Sequence, residues 1–421
     1  MSPFAGEGRA EVTDPGGLIS VDRWRELILG DLPALDAIEL RIQDALGLVL
    51  AEPVESDEAV PSFANSAMDG YAVRVDDVAG AGVDDPVELR IAGEVRAGAS
   101  ELTAVGPGSA VAIMTGAPLP PGAEAVVPVE STSAGASGRI RIHRAARKGD
   151  HVRGVGEDVS PGQQLLPAGH RIRPADVGLL AAIGRSRVHV RPAPRVVILS
   201  TGDELVPLEQ RPEPGRIRDA NGPMLGALVR QAGGLPYSAG IVRDDRKAMM
   251  YAFDSNLGHA DLLIATGGVS AGAYDHVQEV IGKLGKVRAE KVAVKPGMPQ
   301  VYGRIGTTPV FGLPGNPVSS FVSFELFVRP AIRALQGRAD VARPQVTARL
   351  TRAVSAPAHK RTFVRVRLKR EAGRWTAEPG SSQGSHVLTS LVRADGLADI
   401  PEEVTSLAVG DEVTVHLLVD T

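Results

Sequence analysis

The sequence predicts a multidomain α/β and β protein: a central doubly wound α/β domain, a helical first region carrying an inserted β domain, and a second small β domain at the end. Three observations predict it. Between residues 195 and 337, near-continuous apolar runs at 196–199 and 262–265 each end in a glycine loop and lead into helical spacing, as a parallel sheet covered on both faces requires. From residue 61 to about 150, short Val and Ile runs are cut by Gly-Pro-Gly and Pro-Pro turns, as in 105–129. Beyond Pro344, residues 363–368 and 413–419 alternate with period two.

Taken in order, residues 1–17 form a loose tail without a basic stretch or apolar run, so no signal peptide is expected. Segments 18–54 and 155–190 make up one discontinuous helical domain. In the first, Ser20 caps a helix bearing Val21, Trp24, Leu27 and Ile28, and Leu35, Ile38, Leu40, Ile42 and Leu46 predict a second helix after a polar break. In the second, Pro174 starts a helix. The β segment 55–154 is inserted between them. Residues 191–340 form the α/β domain, where Asn221-Gly222-Pro223 caps one helix and Asn316-Pro317 starts a long one ending at Gly337. Residues 344–421 form the last β domain.

Composition narrows the chemistry. The 421 residues include no cysteine, which excludes thiolate nucleophiles, Cys-ligated metals and redox dithiols. Forty-six basic against 50 acidic residues, with 4% aromatics, disfavour nucleic-acid binding. No apolar run reaches the roughly 18 residues of a membrane span, so a cytoplasmic location is expected. Histidines show no zinc-hydrolase spacing, and neither a P-loop nor a complete dinucleotide fingerprint occurs.

Ligands of open α/β sheets bind beyond the carboxyl ends of the strands. There the sequence places Ser200-Thr201-Gly202-Asp203-Glu204 and Thr266-Gly267-Gly268-Val269-Ser270, whose glycines permit close backbone approach to phosphate oxygens. In residues 291–297, strand periodicity puts Lys291 and Lys295 on one face, suited to an anion; an edge strand blunted with lysine explains the pair equally well. Pro314-Gly315-Asn316-Pro317 enters a helix, whose N-terminus attracts phosphate. Asp69, Asp158, Glu204, Asp244 and Asp275 recur at turns; with the lysines they suit a hard cation such as Mg2+ bridging phosphate oxygens. The residues alone lead to a magnesium-assisted site for a phosphorylated small molecule or oxyanion.

Several segments, in order, closely resemble the molybdopterin molybdenumtransferases, the bacterial MoeA and gephyrin E-domain family. They are Asn65-Ser66-Ala67-Met68-Asp69-Gly70-Tyr71, Met114-Thr115-Gly116-Ala117-Pro118, Gly156-Glu157-Asp158, Ser200-Thr201-Gly202-Asp203-Glu204, Gly267-Gly268-Val269-Ser270, Lys295-Pro296-Gly297 and Gly312-Leu313-Pro314-Gly315-Asn316-Pro317. The resemblance implies an elongated helical domain with a β insertion, a MogA-like molybdopterin-binding α/β domain and a C-terminal β-barrel. It also implies a homodimer with each site formed between subunits. The implied reaction inserts molybdate into adenylylated molybdopterin, releases AMP and yields molybdenum cofactor, with handover from a molybdopterin adenylyltransferase and to molybdoenzymes.

On matching positions the resemblance implies catalytic roles for Asp69, Asp158, Glu204, Asp244, Asp275, Lys291 and Lys295, with Glu204, Asp244 and Asp275 holding magnesium. Pterin or phosphate binding is expected of Thr115, Arg153, Thr201, Gly267, Gly268, Ser270, Pro314, Gly315, Asn316, Pro317, Arg361 and Ser385. Ala273 and Met298 stand where the family often carries charge, and Ala64 where it is commonly acidic. Two other readings compete: a molybdopterin adenylyltransferase, which the long N-terminal region argues against, and a non-catalytic pterin-binding scaffold. Molybdate and tungstate are equally acceptable to the sequence.

Overall fold

The computed structural model describes residues 17–267, 276–371 and 373–418, which divide into two compact units. One comprises residues 39–188; the other joins the N-terminal segment up to residue 38 to residues 189–421. Among the described residues, no helix is long and apolar enough to cross a membrane.

The smaller unit is built on a six-stranded sheet, in the order Ala125–Pro128, Gly70–Val73, Ser109–Ile113, Val87–Val95, Arg139–Ile142, Thr132–Ala134. Its central strands are buried on both faces. Val73, Ala110 and Val127 pack into one core, whereas their neighbours Ala72, Val111 and Val126 pack into another, because successive strand residues point to opposite sides. The expected helix Pro174–Ala182 forms; Asp176, which accepts from the Arg173 amide at 2.8 Å, closes its first turn.

The expected second helix of the 18–54 segment does not form. Residues Ile38–Arg41 are a strand, and turns follow. Ile38, Leu40 and Ile42 are spaced by two, not by three or four, and Ile38 and Leu46 are 41% and 55% exposed, so no apolar helical stripe exists to bury. The first helix, Val21–Gly30, is as expected. Ser20 Oγ accepts from the Arg23 amide, and Val21, Trp24 and Ile28 are buried in the core beneath the α/β sheet.

That sheet runs Leu235–Val242, Arg195–Thr201, Leu262–Thr266, Thr308–Leu313, Pro299–Ile305, Lys286–Lys291. The first four strands are parallel and the last two add an antiparallel hairpin. Val196, Ile198, Leu262 and Ile264 face one core, and Val197, Leu199, Leu263 and Ala265 the other. Helices cover both faces, which is the doubly wound arrangement expected of the near-continuous apolar runs. The cap of helix Asn221–Ala232 lies one residue earlier than expected: Ala220 is the N-cap, Asn221 is the first helical residue, and the Asp219 carboxylate accepts from the Gly222 amide at 2.9 Å. The long C-terminal helix starts at Asn316-Pro317 and passes through a π-helical turn, Phe324–Val328, into Arg329–Leu335.

The last region is a closed five-stranded barrel. Arg361–Glu371 pairs with Arg374–Pro379, then Gln345–Leu350, Glu412–Leu417 and Gly396–Ile400 follow, and the last returns to Arg361–Glu371. The short strand Val294–Lys295 joins this ring, parallel to Arg361 and Thr362. The lysine segment is therefore not one strand. The chain leaves the α/β sheet at Lys291, buries Val292, Ala293 and Val294 consecutively, and enters the barrel sheet, so period-two alternation does not hold across it.

Candidate functional site

A cavity of about 650 Å3 opens at the carboxyl ends of the parallel strands. Thr201 and Thr266 end two of those strands, Asp244 follows a third and Pro314-Gly315-Asn316-Pro317 follows the fourth; all line the cavity. Of the residues expected from sequence, it collects Thr201, Glu204, Asp244, Gly267, Pro314, Gly315, Asn316 and Pro317. Gly268, Ser270 and Asp275 lie outside the described residues, as does Ala273.

The loops are locked to one another. Asn221 Nδ2 donates to Thr266 Oγ1 at 2.9 Å and to the Gly315 carbonyl at 2.8 Å. Thr266 Oγ1 donates to the Pro314 carbonyl at 3.3 Å, Thr201 Oγ1 donates to the Thr266 carbonyl at 3.2 Å, and the Gly267 amide reaches the Leu313 carbonyl at 3.1 Å. Gly267 has φ +94°, and a Cβ there would lie 2.3 Å from the Thr201 carbonyl oxygen, so only glycine fits. Asn221 is a residue that sequence reasoning missed: its Asn-Gly-Pro context reads as a helix start, and nothing local shows that its side chain bridges two distant loops.

The cavity wall is rich in acceptors. Glu204, Asp219 and Asp244 line it against Arg218 and His386. Burial raises the Asp244 carboxyl above the usual carboxylate range; His276 pulls it down, while Asp203 and Glu204 push it up. Asp244 Oδ1 is buried without a hydrogen-bond partner among the described residues. Oxygen donors of this kind fit a hard cation. Among the described residues no three His, Asp or Glu converge as ligands, and the expected third ligand, Asp275, is not described.

Lys291 and Lys295 are exposed and do not line the cavity. The turn that follows Lys295 does reach it through Gly297. Buried Gln300 holds that turn, donating from Nε2 to the Gly297 carbonyl and to Ser323 Oγ, both at 2.6 Å.

Arg361 is committed elsewhere. Its guanidinium binds Asp399 through both carboxylate oxygens at 2.8 and 2.7 Å and Asp22 at 2.9 Å. Asp399 is also 3.1 Å from His416 Nε2; burial works against its ionisation, but Arg361 and His416 outweigh it and hold the carboxyl below its ordinary range. Arg365, four residues on, has no carboxylate partner among the described residues. It is 2% exposed, burial lowers its pKa to about 10, and it donates to the Ser382 and Gly384 carbonyls and to Ser390 Oγ. It thereby fixes the loop that carries Ser385, whose carbonyl accepts from the Val318 amide at 3.1 Å, and His386, which lines the cavity. Sequence cannot separate the two arginines, because the difference lies in which carboxylates the barrel brings near each.

In the smaller unit, two expected residues meet directly. Asp69 Oδ1 accepts from the Thr115 amide at 2.7 Å and from Thr115 Oγ1 at 2.8 Å, and these bonds, the backbone one foremost, hold the carboxyl below its usual range. Arg153 lies on strand Val152–Arg153, paired with Asn65–Ser66, and the Ser66 carbonyl accepts from the Gly116 amide at 2.8 Å. Asp158 follows the next turn, its amide bonded to the Val60 carbonyl at 3.0 Å. All four are exposed.

Comparison with known proteins agrees with these features. Residues 19–184 match the MoeA N-terminal region (domain I and II), residues 197–334 a probable molybdopterin binding domain and residues 347–418 the MoeA C-terminal region (domain IV). A Mycobacterium tuberculosis protein named molybdopterin molybdenumtransferase 2 is 41% identical over 402 residues, covering 94% of this chain and 98% of its own. A Haemophilus influenzae molybdopterin molybdenumtransferase is 33% identical, covering 95% of this chain and 100% of its own. The crystal structure of a molybdopterin biosynthesis MoeA protein from Pyrococcus horikosii superposes with a TM-score of 0.83 at 34% identity, covering 96% of this chain and 100% of that one. With three successive regions matched in order, the chain belongs to the molybdopterin molybdenumtransferase (MoeA) family.

Proposed function

We propose that this protein inserts molybdenum into molybdopterin in molybdenum-cofactor biosynthesis, acting on adenylylated molybdopterin and molybdate and releasing AMP. The observation that carries the reading is the locked cavity, where three strand-end loops converge on one pocket through Asn221 and Thr266. Preorganised polar groups in such a pocket position a substrate without reorganisation during reaction. Glu204 and Asp244, with Asp275, are the residues that would hold Mg2+, which when bound supplies positive charge against phosphate oxygens. Lys291 and Lys295 stand outside the cavity wall, Lys295 at the head of the turn that Gln300 holds, and offer charge there to phosphate or molybdate, while Arg365 anchors the Ser385–His386 loop.

A homodimer is part of the reading, in which Asp69, Thr115, Arg153 and Asp158 of one subunit complete the cavity of the other. So is the division at 1–17, 18–54 with 155–190, 55–154, 191–340 and 344–421, and so is a cytoplasmic location. The test is AMP release from adenylylated molybdopterin by the purified protein with magnesium, with and without molybdate. Molybdate-dependent release with a molybdenum-loaded pterin is expected. Tight pterin binding with no AMP formed would replace the transferase reading with that of a scaffold.

A further inference from the structure

The stretch of cavity wall that follows Lys295 hangs on one amide. Its turn leaves the barrel sheet at Val294–Lys295, where Lys295 pairs with Thr362, and enters the α/β sheet at Pro299–Ile305. Gly297 and Pro299 line the cavity. Gln300, 3% exposed, spends both hydrogens of Nε2, one on the Gly297 carbonyl and the other on Ser323 Oγ. Ser323 is buried at the end of helix Pro317–Ser323, whose start supplies Pro317 and Ser319 to the same lining. A single nitrogen thus ties two parts of the wall together.

The approach is close. Gly297 has φ +102°, and a Cβ there would lie 2.8 Å from Ser323 Oγ, so the turn has no room to move toward the helix. The two hydrogen bonds keep it from moving away. A long neutral amide suits this buried position because it places two donors on one atom without a charge. Asn is one methylene shorter, ionised Glu only accepts, and Lys would bury an ammonium. Without the amide, the Gly297 carbonyl loses its donor and gains by rotating toward cavity water.

The two proposed substrates would feel such a shift unequally. Adenylylated molybdopterin is large enough to touch several strand-end loops, which Asn221 and Thr266 lock without help from Gln300. A tetrahedral dianion has little surface, so its binding depends on where a few donors and the nearest cation stand. Exposed Lys295 is that cation, at the head of the turn.

We propose that Gln300 is a positioning residue: through Gly297 and Ser323 it fixes the Lys295–Gly297 turn against the helix and sets affinity for the oxyanion rather than for the pterin. This rests on the reading of the cavity as the site for molybdate and adenylylated molybdopterin.

The experiment titrates the full-length protein, with magnesium, by calorimetry with molybdate and separately with adenylylated molybdopterin, and follows AMP release across molybdate concentration. Gln300→Met keeps length and bulk but donates nothing. It is expected to weaken molybdate binding and raise the molybdate KM about tenfold, with kcat and pterin affinity within about twofold of wild type. Ser323→Ala retains the Gly297 bond, so it is expected to lower the melting temperature as Gln300→Met does yet keep wild-type molybdate affinity. Should Gln300→Met not fold, Gln300→Asn, too short to reach both partners, takes its place with the same expectation. Unchanged molybdate affinity in the Gln300 variant overturns the proposal, as does equal weakening in Ser323→Ala or a parallel loss of pterin affinity. Wild-type protein that binds adenylylated molybdopterin but no molybdate overturns the proposal and leaves the cavity as a pterin site; protein that binds neither overturns both. Binding of both without AMP release overturns the transferase reading alone, because the effect of Gln300 is read in binding.

Discussion

The cavity of the α/β region and the Asp69–Thr115 turn of the smaller unit organise their polar groups in opposite ways. In the cavity, Asn221 and Thr266 are buried and bound to several loops, so the pocket is shaped by the protein's own hydrogen bonds. In the turn, the Asp69 carboxylate accepts from Thr115 alone among the described residues, at the surface next to exposed Met68 and Met114. The difference teaches that the cavity is preorganised by bonds between loops, while the turn presents a carboxylate fixed by a single neighbouring residue and open to solvent.

Substitution tests this contrast most strongly at the buried side. Gly267→Val is expected to lower turnover by at least about 100-fold, since displacing a positioned loop by an ångström has that order of effect, and to lower the melting temperature as well. Wild-type-like turnover would show that the Thr201–Gly267 approach is incidental. On the exposed side, Asp69→Ala should cut molybdate-dependent AMP release without a change in melting temperature. Mixing the two variants after dissociation and reassociation sharpens the comparison. Statistical pairing of a homodimer with intersubunit sites restores about one quarter of wild-type activity, and no restoration would place both halves in one chain.

Asp244→Asn separates function from stability. Because the folded-state carboxyl is raised mainly by burial, the ionised side chain opposes folding once the pH exceeds its folded pKa. The variant is therefore expected to melt higher at pH 7 and to lose that advantage as the pH falls below about 4, where both states are protonated, while turnover is lost throughout. Thermal melts across pH check the sign. The smallest effect is expected of Thr115→Val, which removes one of two bonds that depress the Asp69 carboxyl. The acid limb of the rate profile then shifts to higher pH, with plateau turnover changed by only a few-fold.

Much of this architecture was legible from apolar runs. The strands containing residues 196–199 and 262–265 are buried on both faces, and burial of both faces leaves a continuous signal. The strand-end loops followed from that sheet, and with them Thr201, Glu204, Gly267 and Pro314. The segment at 35–46 misled because five apolar residues over twelve positions satisfy a loose helical count while three of them alternate as in a strand. Asn221 and Arg365 were illegible for another reason: their settings depend on partners 45 to 94 residues away for the first and, for the second, on which carboxylates the barrel directs to its neighbour Arg361. Such pairings are written in the topology and have no local signature.

The closed barrel has a kinetic consequence. A ring has no outermost strand from which to unzip, so opening any one of Arg361–Glu371, Gly396–Ile400 or Glu412–Leu417 breaks two ladders at once. The open sheet of the smaller unit ends in Thr132–Ala134, three partly exposed residues paired on one side only. Amide hydrogen exchange should therefore release the barrel ladders together, as one late cooperative unit, and strip the open sheet progressively from that short edge inward.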